Sequence, residues 1–350
     1  MIPWPGVIAR YRNQIDLPPE AVGITLLEGN TPLIPMPRLA NALGVGDLFI
    51  KFEGLNPTGS FKDRGMTVAI SEAAHRGAQT AICASTGNTA ASAAAYAARA
   101  GMRCLVLIPE GQVAVGKLAG AIAYGADVIQ INGSFDDALD MVRQAAERYP
   151  LAIVNSINPY RLEGQKTVAF EITEALGQPP DWLALPVGNA GNISAAWMGF
   201  SELHATHGID LPKLLGVQAA GAAPLVDGHP IDRPMTIATA IKIGRPARGD
   251  QALSAAAESG GRIVAASDDQ ILDAQRTLAN EGIWVEPASA AGIAGLKKEI
   301  GASRLDLTHA RVVAICTGHG LKDPGIVTDR FPTPTRIDAD LEALEPLIQR

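Results

Sequence analysis

The chain has 350 residues, nearly half of them apolar and few aromatic, with 36 glycines and a formal net charge of −7. That length suits two domains, and the composition fits a helix-packed α/β enzyme and excludes a disordered chain. The negative charge without a basic cluster speaks against nucleic-acid binding, and no uncharged apolar run reaches membrane length.

The start, Met1-Ile2-Pro3-Trp4, lacks the basic and apolar regions of a signal peptide, so a cytoplasmic protein is expected. Glu28-Gly29-Asn30-Thr31-Pro32 is a polar turn running into apolar Leu33-Ile34. Leu48 to Glu53 alternates and predicts a strand. The turn-forming run Asn56-Pro57-Thr58-Gly59-Ser60-Phe61-Lys62-Asp63-Arg64-Gly65 follows. Met66, Ala69, Ile70, Ala73 and Ala74 then mark one helical face. Ser60 with Asp63 reads as a capping box that puts Lys62 in the first turn. Thr80 to Ala84 predicts a short buried strand, leading into Ser85-Thr86-Gly87-Asn88-Thr89 and an alanine-rich helix to about Arg99. Cys104 to Ile108 is the next strand, Gly116 to Tyr124 a helix, and Val128 to Ile131 a strand. Ser134 and Asp137 cap a helix ending near Tyr149, and Ala152 to Val154 is again extended.

The second half keeps this rhythm. A helix is expected from Gln165 to Leu176, and a strand from Trp182 to Val187 that delivers Gly188-Asn189-Ala190-Gly191-Asn192 to a helix start near Ile193. Further strands are expected at Leu214 to Gln218, Ile263 to Ala265, Trp284 to Val285 and Val312 to Ile315, with helices at Asp268 to Asn280 and Ser289 to Glu299. A short acidic helix near the end carries Leu341, Leu344, Leu347 and Ile348 on one side and reads as docking on the body or on a partner subunit. Strands alternating with helices imply parallel βαβ units, with ligands at the carboxyl ends of the strands. Cys83, Cys104 and Cys316 lie far apart in apolar runs and read as buried free thiols; no spacing suggests a metal.

The chemistry centres on Lys62. Cations prefer the other end of a helix, so an amine in the first turn is aimed at something. Gly54 and Gly59 have P-loop spacing, but Ser60 stands where that motif needs lysine, and no Gly-x-Gly-x-x-Gly run occurs. A Schiff base, with a phosphate held nearby, is the chemistry that remains. Gly188 to Asn192, between a strand and a helix, offers backbone N–H groups to a phosphate. Ser85 to Thr89 offers three hydroxyls and an amide, suited to a carboxylate, and Asn88 can donate to a phenolate oxygen. Thr317 ends an apolar run, where a hydroxyl can meet a ring nitrogen; His319 beside it reads as a structural hydrogen-bonder.

Four motifs, the lysine decapeptide, Ser85 to Thr89, Gly188 to Asn192 and Cys316-Thr317-Gly318-His319-Gly320-Leu321-Lys322-Asp323-Pro324, together resemble the threonine synthase family. These are tryptophan-synthase-β-like pyridoxal phosphate enzymes of fold type II. The resemblance runs from about Glu28 to Pro324 with the motifs in order. It implies two parallel-sheet α/β domains with the cofactor in the cleft between them, a smaller one over 55–152 and a larger one over 1–54 and 153–350, and a homodimer. It implies that Lys62 holds pyridoxal 5'-phosphate covalently, that Asn88 contacts its ring hydroxyl, that Gly188, Asn189, Ala190, Gly191 and Asn192 hold its phosphate, and that Thr317 meets its ring nitrogen. Ser85, Thr86 and Thr89 would take the substrate carboxylate, and Lys117, Asn155, Ser156 and Arg161 the substrate phosphate. The implied reaction converts O-phospho-L-homoserine and water to L-threonine and phosphate. The alternatives are a threonine or serine dehydratase using the same cofactor, which needs no cationic pocket for a γ-phosphate, and a nonenzymatic phosphometabolite-binding protein. Against the γ-phosphate role of Arg161 stands a surface ion pair with nearby Glu163.

Overall fold

The structure, a computed structural model, describes residues 3–109, 115–328, 334–339 and 341–348, with the side chains of 115–117, 135–136 and 328 left aside. A short helix α1 (Val7–Arg10) precedes β1 (Leu33–Pro35), α2 (Pro37–Leu43) and β2 (Asp47–Phe52). Then come α3 (Lys62–His75), β3 (Thr80–Ala84), α4 (Asn88–Arg99), β4 (Arg103–Pro109), α5 (Val115–Ala123), β5 (Asp127–Ile131), α6 (Phe135–Arg148) and β6 (Leu151–Ile153). The second half holds α7 (Pro159–Gln165), α8 (Thr167–Leu176), β7 (Trp182–Pro186), α9 (Gly191–His207), β8 (Lys213–Ala219), α10 (Pro224–Asp227), α11 (Gly249–Glu258) and β9 (Arg262–Ala266). It closes with α12 (Asp268–Asn280), α13 (Pro287–Gly301), β10 (Arg311–Cys316), α14 (Gly325–Thr328) and α15 (Leu341–Ile348).

The strands form two sheets. One has the order β5-β4-β3-β6, and every pairing in it is parallel. The other has the order β1-β2-β10-β7-β8-β9 and is parallel except for β1 against β2. In the first sheet the order reverses between β3 and β6, and in the second between β7 and β10. Such reversals open a crevice at the carboxyl ends of the strands. The four strands concerned lead directly into Ser85–Thr89, Asn155–Asn158, Gly188–Asn192 and Thr317.

Helices cover both faces of each sheet, so the strands read as continuous apolar runs. The alanines of α4 are mostly buried and let that helix lie close to β3, β4 and α3. The capping box of Ser134 and Asp137 is present at α6. Some local expectations change. No side chain caps α3; Asp63 turns back instead to accept from Thr58 N (2.7 Å), Thr58 Oγ1 and Ser92 Oγ (both 2.6 Å). The helix expected from Gln165 to Leu176 is present as α8, starting at Thr167, and a separate helix α7 precedes it. Trp284–Val285 forms no strand, only an isolated antiparallel bridge from Val285 to His319. None of the described residues of α15 is buried. All three cysteines are buried and free.

Candidate active site

The segment before Lys62 is tied to the end of β10. Phe61 N donates to Thr317 O (2.9 Å), His319 N to Gly59 O (2.9 Å), and Glu286 N to Gly318 O (3.2 Å). These bonds bring the start of α3, the turn after β10 and the start of α13 together, although they are far apart in sequence. Lys62 Nζ lies 4.2 Å from the centre of the Phe61 ring. Burial, helped by the positive charge of Arg161, lowers the Lys62 amine to about 7, and Glu286 opposes the shift.

Asn88, first in α4, is buried and donates through Nδ2 to both carboxylate oxygens of Glu286, at 2.9 and 3.2 Å. Burial pushes the Glu286 carboxyl up to about 7, while Asn88, Lys322 and Lys62 act the other way. Gly318 is required beside it, because a Cβ there would come within 2.4 Å of Glu286 Oε1. Ser289 Oγ lies 2.8 Å from Thr317 Oγ1 and accepts from Gly318 N (2.7 Å). Glu286 and Ser289 did not stand out in the sequence. The only local sign was Glu286-Pro287 ahead of an apolar helix, a common helix start.

The Gly188–Asn192 loop feeds α9, whose N-terminus has no side-chain cap. Ala190 takes a left-handed backbone with φ 64°, which turns the chain into the helix. Its first N–H groups thus lack intrahelical partners. A Cβ on Gly188 would stand 3.0 Å from Ile241 Cα, so glycine permits the close approach of that segment. Asn189 Oδ1 accepts from Ala247 N at 3.4 Å, and Asn192 Nδ2 is buried without a partner.

On the other side, Ser85, Thr86 and Thr89 are half-buried, and Ser85 Oγ accepts from Gly87 N at 3.3 Å. Asn155 spends both polar atoms on Ala84, donating to its O (2.9 Å) and accepting from its N (3.1 Å), and so pins the end of β3 beside the end of β6. Arg161 is almost wholly buried, donates Nη1 to Val154 O (2.7 Å) and has no partner at Nε. It makes no pair with Glu163, which binds Lys166 at 2.8 Å instead. Burial lowers the Arg161 guanidinium to about 10, and Arg248 adds to that shift. Ser156 is half-buried, and its carbonyl accepts from Arg248 Nε at 3.0 Å. Lys117 falls in α5, with its side chain outside the described residues. His319 stacks on Phe52, meets Trp284 edge-on and accepts from Leu321 N at Nδ1, a structural role.

Comparison with known proteins gives this arrangement a family. The family model described as "Pyridoxal-phosphate dependent enzyme" matches residues 24–318. The chain belongs to the pyridoxal-phosphate-dependent enzymes. The threonine synthase of Synechocystis is 56% identical over 324 residues, covering 92% of this chain and 84% of that protein. That of Mycobacterium leprae is 54% identical over 345 residues, covering 98% and 95%. In fold the chain is similar to maize serine racemase, with a TM-score of 0.75 at 22% identity, covering 92% of this chain and 94% of that one. The processed threonine deaminase isoform 2 of Solanum lycopersicum gives 0.74 at 23%, covering 86% and 82%.

The cofactor of this family is pyridoxal phosphate, and the residues present suit it. A half-buried lysine whose neutral amine is favoured stands at the start of α3. An uncapped helix start with an unpartnered donor, Asn192 Nδ2, suits a dianionic phosphate. A buried hydroxyl pair, Thr317 and Ser289, suits a polar ring atom. Among the described residues no group of three His, Cys, Asp or Glu could hold a metal ion, and no helix is long and apolar enough to cross a membrane.

Proposed function

We propose that the chain is a threonine synthase, converting O-phospho-L-homoserine and water to L-threonine and phosphate. The identity to threonine synthases over nearly the whole chain supports this reading, and so does one observation at the site. Arg161 is buried with an unpartnered Nε and no carboxylate on it, an arrangement that suits a substrate phosphate. A dehydratase would have no use for such a group.

Lys62 is assigned the covalent link to pyridoxal phosphate, Gly188 to Asn192 its phosphate, Asn88 its ring hydroxyl and Thr317 its ring nitrogen. When bound, the cofactor supplies an electron sink for the negative charge left at the substrate Cα. Ser85, Thr86 and Thr89 take the substrate carboxylate and so orient the Cα–H bond toward Lys62. With a value near 7, the freed Lys62 amine is neutral often enough at physiological pH to take the Cα proton. The same amine moves protons at Cβ and Cγ, while Arg161, Ser156 and Lys117 hold the phosphate as it leaves Cγ and Asn155, bonded to Ala84 through both polar atoms, offers it only the second N–H of its amide. Water then adds at Cβ. Glu286 holds the Asn88 amide in one orientation. Residues 55–152 are taken as the smaller domain, the rest as the larger. A cytoplasmic homodimer is proposed, as the family resemblance implies.

The deciding experiment is an assay of the loaded enzyme on phosphohomoserine, with threonine and phosphate identified as products. Keto-acid release from threonine without phosphohomoserine turnover would favour the dehydratase. Lys62→Ala should abolish turnover and borohydride-stable attachment of the cofactor while leaving the fold unchanged by circular dichroism. Attachment mapped by mass spectrometry to Lys51 or Lys117 in the native protein would remove Lys62 from its role.

A further inference from the structure

Several arginines of this chain close on carboxylates, as Arg10, Arg38, Arg64, Arg76, Arg245 and Arg304 do. Arg248 does not, and neither does Arg161. Set just ahead of α11, Arg248 reaches across to the turn after β6, donating Nε to Ser156 O (3.0 Å) and Nη2 to Ile157 O (3.2 Å). Its Nη1 donates to Gln251 Oε1 at 3.0 Å. A guanidinium has five N–H donors, so one on each Nη is left over. Arg161 donates to Val154 O and Arg248 to Ser156 O and Ile157 O, so both guanidiniums bind the one segment after β6, and the charge of Arg248 adds to the lowering of Arg161 by burial. Asp63 opposes that shift without pairing with Arg161, and among the described residues no carboxylate closes on either guanidinium, so in a protein with a net charge of −7 their convergence on one turn marks a place where an anion is brought in.

We propose that Arg248 is a second specificity-determining cation of this site, binding with Arg161 the phosphate of a phosphorylated amino-acid substrate while fixing the Ser156–Ile157 backbone. This rests on the threonine synthase reading and adds to it a residue from the larger sheet's side of the cleft. The loop that carries Arg248 also touches the cofactor-phosphate loop through Ala247 N and Asn189 Oδ1. It therefore contacts both phosphate-directed segments at once.

The test compares loaded wild type, Arg248→Gln and Arg248→Lys in three measurements: the dissociation constant for inorganic phosphate by calorimetry, that for L-threonine, and KM and kcat for phosphohomoserine. Arg248→Gln should weaken inorganic phosphate and raise KM at least ten-fold each, with a much smaller effect on L-threonine, which has no phosphate. Arg248→Lys keeps the charge but loses the fork and should fall between. Unchanged phosphate affinity, or an equal loss for L-threonine, overturns the assignment. If the glutamine variant fails to fold, the lysine variant decides by the same criteria. A wild type that binds phosphate through Arg248 but does not turn over phosphohomoserine would sink the proposed activity and leave this assignment standing.

Discussion

Lys62 and Arg161 act on each other through charge, and that gives a prediction with a definite sign. Burial and the Arg161 charge together lower the Lys62 amine to about 7 from an ordinary 10.5. The neutral amine, the form able to react, is thus populated above about pH 7. Removing Arg161's charge leaves burial in place but takes away one lowering cause. Arg161→Leu should therefore move the midpoint for covalent capture of pyridoxal phosphate by the apoprotein to higher pH. Capture rates measured across pH 6 to 10 check this; a midpoint that stays put or falls would mean the two groups do not face one another. Charged hydrogen bonds contribute about 1.5–3 kcal/mol each. The same variant should thus lose at least about ten-fold in kcat/KM for phosphohomoserine. Threonine dehydration, where detectable, should change far less, and equal losses would remove Arg161 from the phosphate.

Lys62, Asn88, Thr317 and Arg161 were legible in the sequence because each stands at a strand end or helix start within a local motif. Glu286, Ser289 and Arg248 were not. Asn88 and Glu286 are 198 positions apart, and Arg248 reaches Ser156 across 92, so their roles exist only once the sheets are placed. The capping box expected of Ser60 and Asp63 failed for a related reason. The Asp63 carboxyl is buried and is satisfied by three donors from Thr58 and Ser92, the last of them on α4.

At the scale of elements, the relation of Lys62 to Arg161 is set by the contact of α3 with α7. Two glycines allow it. A Cβ on Gly164 would fall 1.8 Å from Arg64 O, and one on Gly65 2.5 Å from Arg161 O, both against backbone. Gly164→Ala must push the helices apart, and overpacking of this kind costs about 1–3 kcal/mol or more. Urea unfolding should show that loss, accompanied by slower cofactor capture. Full stability with unaltered capture would mean the crossing does not position the lysine. The side chain of Arg64 itself joins Glu53 (2.6 Å) and Glu171 (2.7 Å), and Lys51 also binds Glu171 (2.7 Å), all nearly free of solvent. Against the upward push of burial, Arg64 and Lys51 hold Glu171 down to about 2. Breaking such a buried network from one side costs about 3–5 kcal/mol. Arg64→Met should lower stability by that order in urea titrations, and a change under about 1 kcal/mol would show that the remaining groups rearrange freely. The parallel strands of both sheets were readable from short apolar runs between turn residues, although Trp284–Val285, which reads the same way, forms none. Helix α11 and strand β1 were not picked out, the first because alanines around one leucine give a weak apolar stripe, the second because it is only three residues long.

For the molecule as a whole, the two order reversals face the same crevice. The ends of β3 and β6 deliver Ser85–Thr89 and Asn155–Asn158 from one sheet; those of β7 and β10 deliver Gly188–Asn192 and Thr317 from the other. Lys62 stands on α3, which packs with the smaller sheet's core yet is bonded through Phe61 N to Thr317 O at the end of the larger sheet. A cofactor held at once by Lys62, Asn88, Thr317 and the Gly188–Asn192 loop therefore joins elements of both sheets. Binding to the folded state alone stabilises by RT ln(1 + [L]/Kd), about 2.7 kcal/mol at a hundred-fold excess over Kd. Hydrogen exchange should reveal where that stabilisation goes. On loading, protection should rise together at the start of α9, the end of β10, the start of α4 and the first turn of α3. In Lys62→Ala, exposed to the same cofactor concentration, the gain at α3 should be the smallest, because the covalent anchor is gone. Protection confined to α9 and β10 would mean that the cofactor is held by the larger sheet alone, and the placement of Lys62 and Asn88 around it would have to be abandoned.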